Sequence, residues 1–149
     1  MMKRVGIYVK MSGSMRRLIV EAYIYLAWAR ILKWVPFSRV TPSLGTEMAE
    51  TTKDRCPERR RTLSDISQAI HLSSKYTFWE SECLVKAIAA MKMMEKRKIE
   101  STLYLGTAKD KEGKLIAHAW VRSGPYYITG NEGIEQYTVV RKFARNVRP

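Results

Sequence analysis

Cys83 and His118 are the two residues whose types and surroundings could do chemistry in this chain. The sequence holds two cysteines and two histidines, so few thiol and imidazole pairings are possible. Cys83 begins the apolar stretch CLVKAIAAMKMM, and His118 lies inside the alternating stretch IAHAWV. A thiolate is a strong nucleophile, and an imidazole can take the thiol proton near neutral pH. The pair therefore predicts nucleophilic catalysis, with Cys83 as the nucleophile and His118 as its base.

A helix is predicted to carry Cys83 in its first turn. Ser81 is a good N-cap residue, and Glu80 and Glu82 place negative charge at the positive end of the helix dipole. Four apolar residues recur at helical spacing: Leu84, Ile88, Met91 and Met94. The unpaired amides of a first turn favour a thiolate and can also hold an oxyanion. The alternative is that Cys83 is a small apolar residue at the start of a core helix.

After this helix the pattern changes to period two, which predicts strands at 102–107, 115–121, 126–129 and 137–140. A helix followed by an antiparallel sheet is an α+β arrangement. In the second strand, alternation places His118, Trp120 and Arg122 on one face. A turn at 123–125 would then bring His118 opposite Gly130 or Asn131 in the next strand.

The third catalytic role, orientation of the imidazole, is predicted for Asn131. Its amide would lie across the hairpin from His118. Glu132 is the alternative, although alternation sends its side chain to the other face unless a β-bulge intervenes.

The rest of the chain is predicted to support this core in a single domain spanning 1–149. Residues 1–37 are a helical segment that Pro36 ends, 41–61 are a polar loop, and 62–149 are the catalytic core. Charged residues within 15–37 argue against a membrane span. This helix is expected to pack on the core, and the alternative is a groove or membrane-surface element. A helix at 63–74 carries His71, which we expect to be a surface or hydrogen-bonded histidine rather than a base. Cys56 lies in the loop and has no predicted role.

Composition narrows the class of function. The net charge of +13 suggests nucleic acid or an anionic surface, but the basic residues are spread over four segments and no nucleic-acid-binding motif is present. The sequence contains no Cys-x-x-Cys pair that would predict a metal site and no phosphate-binding loop that would predict a nucleotide site. No cofactor is therefore expected. The two distant cysteines, with no secretory segment ahead of them, favour a reduced, cytoplasmic setting.

The order of these segments resembles the transglutaminase-like, papain-type cysteine hydrolases. The segments are ARILKWVPF, FWESECLVKAIAAMKMM, STLYLGTAKD, LIAHAWVRSG and YYITGNEGIEQYTVV. Together they are similar to the leader peptidases of lasso-peptide biosynthesis, in the split form that is a short chain of this size. The family often has an acidic residue after the HAW strand, where this chain has Gly130, Asn131 and Glu132.

The resemblance implies a cysteine protease that removes the leader from a ribosomally synthesised lasso precursor peptide. Cys83 would form the acyl-enzyme, and His118 would act as general base and then general acid. The partners implied are the precursor peptide, a separate small leader-recognition protein and the lasso cyclase; neither nucleic acid nor stable membrane insertion is expected. Two alternatives stay open: a non-catalytic scaffold that presents a peptide, and a basic module that binds nucleic acid or an anionic surface.

Overall fold

The computed structural model describes residues 13–32, 34–53, 56–75 and 83–146. These residues form four α-helices and a five-stranded antiparallel sheet, which confirms the predicted α+β class. In chain order the elements are α1 (Gly13–Leu32), α2 (Phe37–Leu44), β1 (Thr46–Glu47), α3 (Arg60–Ser74), α4 (Cys83–Lys96), β2 (Ser101–Lys109), β3 (Leu115–Ser123), β4 (Tyr126–Thr129) and β5 (Thr138–Arg145).

Helix α4 forms the centre of the core. It packs on α1 and α3 on one side and on the sheet on the other. Its buried residues lie on nearly every side of the helix: Val85, Ala87, Ile88, Ala89, Ala90, Met91, Met93 and Met94. A helix that is apolar all round belongs inside a protein, and its small alanines allow neighbouring elements to approach closely. The helix that carries Cys83 is therefore held by packing from both layers.

The sheet has the strand order β1-β5-β2-β3-β4, with β4 at one edge. One face packs against the helices through apolar residues such as Leu103, Val121 and Phe143. The other face carries polar and aromatic side chains, because residues alternate along each strand. Tyr104 and Trp120 are opposed in the β2–β3 register, and their rings stack with centroids 5.6 Å apart.

Arg122 lies on this second face, and its charged side chain is only 2% exposed. Its Nε donates to Tyr104 Oη at 2.7 Å, and its terminal nitrogens donate to the carbonyls of Thr51 at 3.0 Å and Thr52 at 3.2 Å. A buried guanidinium is tolerated only when its N–H groups are satisfied in this way. Arg122 thereby fixes the segment before α3 onto the aromatic face of the sheet.

Replacing Arg122 with Met is expected to lower the free energy of unfolding by about 3 kcal/mol, because the buried carbonyls and the Tyr104 hydroxyl lose their donor. Urea denaturation followed by circular dichroism measures this change. Lys109→Met is the matched control, since Lys109 is an exposed basic residue of the same sheet, and its effect should stay within about 0.5 kcal/mol. Equal effects of the two substitutions would contradict the anchoring role.

The structure corrects the predicted loop at 41–61. Helix α2 starts after Pro36 and runs to Leu44, and strand β1, a 3-10 turn at Pro57–Arg59 and the first residues of α3 also lie in the predicted loop. Proline is ordinarily a loop signal, yet Pro42 lies inside α2. Proline has no N–H for the Ser38 carbonyl, and the Thr41 hydroxyl donates to that carbonyl at 3.2 Å instead.

The first predicted helix is confirmed over 15–32 but does not reach residue 37, since α1 ends at Leu32 and Phe37 begins α2. Residues before Pro36 form a turn, where a residue preceding proline disfavours the helical conformation. Within the described residues, no helix combines the length and apolar content that crossing a membrane requires.

Candidate active site

Cys83 is the first residue of α4 and is half-buried against the hydrophobic core. Its position in the first described turn agrees with the predicted placement. The predicted N-cap Ser81 and its flanking residues Glu80 and Glu82 lie outside the described residues. Helix α4 packs between the other helices and the sheet, so the Cys83 thiol has a fixed location relative to the sheet.

His118 lies in the middle of β3, half-buried, on the aromatic face of the sheet. Its ring lies 5.8 Å from the Trp120 ring and 5.1 Å from the Tyr137 ring, between centroids. This confirms that His118 and Trp120 share a face. Gly106 makes room for this arrangement, because a Cβ there would lie 2.8 Å from the Trp120 ring and 3.0 Å from Tyr137 Cβ. The glycine of β2 thus lets the aromatic rings lie close to the sheet backbone.

The sheet edge brings the two predicted catalytic residues to one cavity. Strand β4 pairs only with the last three residues of β3, so the first part of β3, with His118, extends beyond the end of β4. A cavity of about 320 Å³ lies there. Its lining consists of His71, Cys83, Lys86, His118, Thr129, Gly130, Asn131 and Glu132. All four residues predicted from the sequence for the site, or as runner-up, are among them.

The thiol and the imidazole share the cavity without a hydrogen bond between them; none joins Cys83 to His118 in the described part of the chain. Instead, His118 Nε2 lies 2.6 Å from the carbonyl oxygen of Gly130. Hydrogen bonds between a nucleophile and its base are often long in a free enzyme and shorten when substrate binds. Cys83 and His118 therefore remain the predicted nucleophile and base, placed at one cavity without a direct hydrogen bond between them in the described residues.

Asn131 and Glu132 are exposed and line the same cavity. The predicted ladder that would pair His118 with Gly130 or Asn131 does not form. A bulge shifts the register between Val121 and Arg122, and the ladder ends where Val121 faces Thr129. Gly130 then adopts a left-handed backbone with φ 72°, which ends regular pairing. Neither of the two side chains predicted for the third role makes a hydrogen bond to His118.

His71, predicted to be a surface or hydrogen-bonded histidine, is exposed and also lines this cavity. Burial and the positive charges of Lys86 and Lys75 lower the pKa of His71 below its ordinary value, while Glu132 opposes the shift. The lowered pKa favours the neutral form of His71. Sequence periodicity placed His71 on α3 but could not show that this side of α3 meets the start of α4.

Cys56 lies apart from this site, in a second cavity of about 170 Å³ together with Arg59, Leu63 and Tyr126. Its thiol is thus not a rival for the partnership with His118. Within the described ranges, no three His, Cys, Asp or Glu side chains come close enough together to hold a metal ion, although four such residues line the first cavity.

Thr129 contributes a buried hydroxyl to the wall of the first cavity, and no described residue forms a hydrogen bond with it. Thr129→Val keeps the shape of the side chain and removes this hydroxyl. We expect the free energy of unfolding to rise by about 1 kcal/mol, because a buried polar group without a partner is destabilising. Urea denaturation measures the change.

Thr102→Val is the matched control for this prediction. The Thr102 hydroxyl is bonded to both the backbone N–H and the hydroxyl of Thr51, at 2.9 and 2.6 Å, so its loss should lower the free energy of unfolding. A comparable loss in Thr129→Val would mean that its hydroxyl has a stabilising partner in the folded chain.

The fold agrees with the comparison to known protein families. The sequence profile of the Transglutaminase-like superfamily matches residues 22–142, a range that includes α4, β3 and the cavity between them. The chain belongs to this superfamily, which includes cysteine proteases. No curated protein and no solved structure matches the chain significantly.

Proposed function

We propose that this chain is a cysteine peptidase that removes the leader from a ribosomally synthesised lasso precursor peptide. The observation that carries the proposal is that Cys83, at the start of α4, and His118, on β3, line one cavity in a transglutaminase-like domain. The finer assignment to lasso precursors depends on the order and spacing of the sequence segments quoted above. The cavity is accessible from solvent on one side, where Asn131 and Glu132 are exposed.

The proposed reaction has two steps. His118 takes the proton of the Cys83 thiol, and the sulfur attacks the carbonyl carbon of the scissile peptide bond. The tetrahedral intermediate collapses as the imidazolium gives its proton to the leaving amine, which leaves the leader attached to Cys83 as a thioester. Water, deprotonated by His118, then attacks the thioester, and the leader is released as a carboxylate while the thiol is restored.

The proposal includes separate partners. A small leader-recognition protein would hold the precursor near the cavity, and the lasso cyclase would act on the core peptide after cleavage. The partners follow from the resemblance alone. We propose a cytoplasmic setting because both cysteines are free thiols in the described residues.

The proposal is tested by mixing the purified chain with the precursor encoded beside it, with and without the neighbouring small protein, and following the peptide by mass spectrometry. Two products whose masses sum to the precursor plus one water are expected. Absence of cleavage with every partner present would contradict the proposal.

A non-catalytic scaffold that only presents a peptide is the second candidate. It is favoured by the missing hydrogen bond between Cys83 and His118 in the free chain. Selective alkylation of Cys83 over Cys56 near neutral pH distinguishes the two, because an activated thiol reacts faster than an ordinary one. Equal reaction rates for the two thiols would favour the scaffold.

A further inference from the structure

We propose that the backbone carbonyl of Gly130, rather than a side chain, orients His118 for catalysis. This inference rests on the proposed function, since it assigns a positioning residue to that reaction. The carbonyl oxygen lies 2.6 Å from His118 Nε2, a short distance for a hydrogen bond between a ring nitrogen and an oxygen.

The chemistry of this bond selects one tautomer. A carbonyl oxygen can only accept, so Nε2 must carry the hydrogen whenever the bond is made. A neutral imidazole holds a single N–H, and its lone pair is then on Nδ1. Nδ1 is therefore the atom that takes the proton from the Cys83 thiol. In the resulting imidazolium the bond to Gly130 becomes charge-assisted and stronger, which stabilises the ion pair.

The imidazole is also held by its neighbours. The rings of Trp120 and Tyr137 contact it, so the ring plane is restricted while the carbonyl selects its rotation. This is the division of roles that a catalytic imidazole needs: packing limits its position, and one acceptor sets its tautomer.

Only glycine can present the carbonyl at this point. Gly130 has φ 72°, a left-handed conformation that side chains rarely adopt. A Cβ at position 130 would lie 2.4 Å from the Ala119 carbonyl oxygen and 3.1 Å from Trp120 Cβ. Any larger residue must shift either β3 or its own peptide group, and both changes move the acceptor away from His118.

The side chains of Asn131 and Glu132 do not occupy this position. Both residues are exposed at the cavity, and the one N–H of a neutral Nε2–H imidazole is already used by the Gly130 carbonyl. Glu132 does influence the electrostatics of the cavity, where Lys86 and His71 are the other titratable neighbours. Orientation by the Asn131 side chain and orientation by the Gly130 carbonyl therefore predict different effects of Asn131→Ala on the His118 tautomer.

The tautomer of His118 tests the proposal directly on the full chain without substrate. Long-range proton–nitrogen NMR of the ¹⁵N-labelled protein, at a pH where the imidazole is neutral, should show the Nε2–H form for His118. The chain has two histidines, and the His71→Gln variant identifies which signals belong to His118. The same Nε2–H form should persist in Asn131→Ala. An Nδ1–H form in the parent chain, or a switch to it in Asn131→Ala, would overturn the proposal.

Gly130→Ala supplies the complementary readout. We expect it to lose the Nε2–H preference, to slow the alkylation of Cys83 by iodoacetamide at neutral pH by about tenfold, and to change the pH profile of that alkylation. Unchanged tautomer and unchanged pH profile in a folded Gly130→Ala would overturn the proposal. If circular dichroism shows that this variant does not fold, the tautomers of the parent chain and Asn131→Ala decide the question.

These measurements use no precursor peptide, so they separate two kinds of failure. An Nε2–H tautomer that persists in Asn131→Ala and is lost in Gly130→Ala supports the role of Gly130 even if no lasso precursor is cleaved. The failure to cleave would then reject only the proposed function. Cleavage accompanied by an Nδ1–H tautomer would reject only the role of Gly130.

Discussion

Cys83→Ala should lower the rate of precursor cleavage by at least about 1000-fold while leaving the fold intact. The thiol supplies the attacking atom, and no other group at the cavity can form the thioester that the proposed reaction requires. Cys83 is half-buried and small, so its loss to alanine removes one sulfur from the edge of the core and costs about 1 kcal/mol or less. The rate is measured by the disappearance of precursor under single-turnover conditions.

Cys56→Ser is the matched control for this prediction. Cys56 is also half-buried and free, but it lies in the separate cavity with Arg59 and Leu63. Its variant should cleave within about threefold of the parent rate, as expected for a change outside the site. Cleavage that persists in Cys83→Ala and disappears in Cys56→Ser would contradict the assignment, because it would make Cys56 the nucleophile.

His118→Gln should lower the cleavage rate by about 1000-fold, in line with the loss of a general base and acid. The glutamine amide can still donate a hydrogen bond toward the Gly130 carbonyl, but it cannot take a proton from the thiol. The loss should therefore appear in kcat and in the alkylation rate of Cys83, with little change in the free energy of unfolding. The variant separates the chemical role of His118 from its contribution to packing.

His71→Gln provides the comparison, because His71 is the second imidazole at the same cavity. A large loss in His71→Gln together with normal cleavage in His118→Gln would exchange the roles of the two histidines. This comparison is needed because the lowered pKa of His71 favours the neutral imidazole, which is the form that can accept a proton.

Much of the fold follows from local patterns in the sequence. Strand β4 was predicted with its observed bounds, and β2 and β3 were predicted to within two residues, because period-two alternation is strong there. Helix α2 was missed because Pro36 and Pro42 are ordinarily loop signals. Its stability depends on the Thr41 hydroxyl replacing a backbone donor and on burial of Val40 and Leu44, and neither is visible in a local pattern.

The candidate site was predictable in part. Placing Cys83 on a helix and His118 on a strand required only periodicity, but the meeting of the two depends on α4 packing against β3 and on β4 ending early. The β-bulge after Val121 and the left-handed Gly130 decide what lies beside the imidazole. A hairpin drawn without the bulge places a side chain there, whereas the structure places a backbone carbonyl.

Specificity depends on features that the site residues do not encode. If the proposed function holds, the choice of precursor would depend on surfaces outside the cavity and on the separate leader-recognition protein that we propose. The net charge of +13 would favour an acidic partner or peptide through long-range attraction, and such attraction weakens with salt.

The most direct test of the central claim is to look for the leader attached to Cys83 during cleavage. The chain is mixed with precursor and its partner, quenched with acid within the first turnover, and its intact mass is measured, followed by peptide mapping. A mass gain equal to the acylating leader fragment, located on the peptide that contains Cys83 and absent from Cys83→Ala, is predicted. Two results would contradict the role of Cys83: cleavage that forms no adduct and persists in Cys83→Ala, or an adduct located on Cys56.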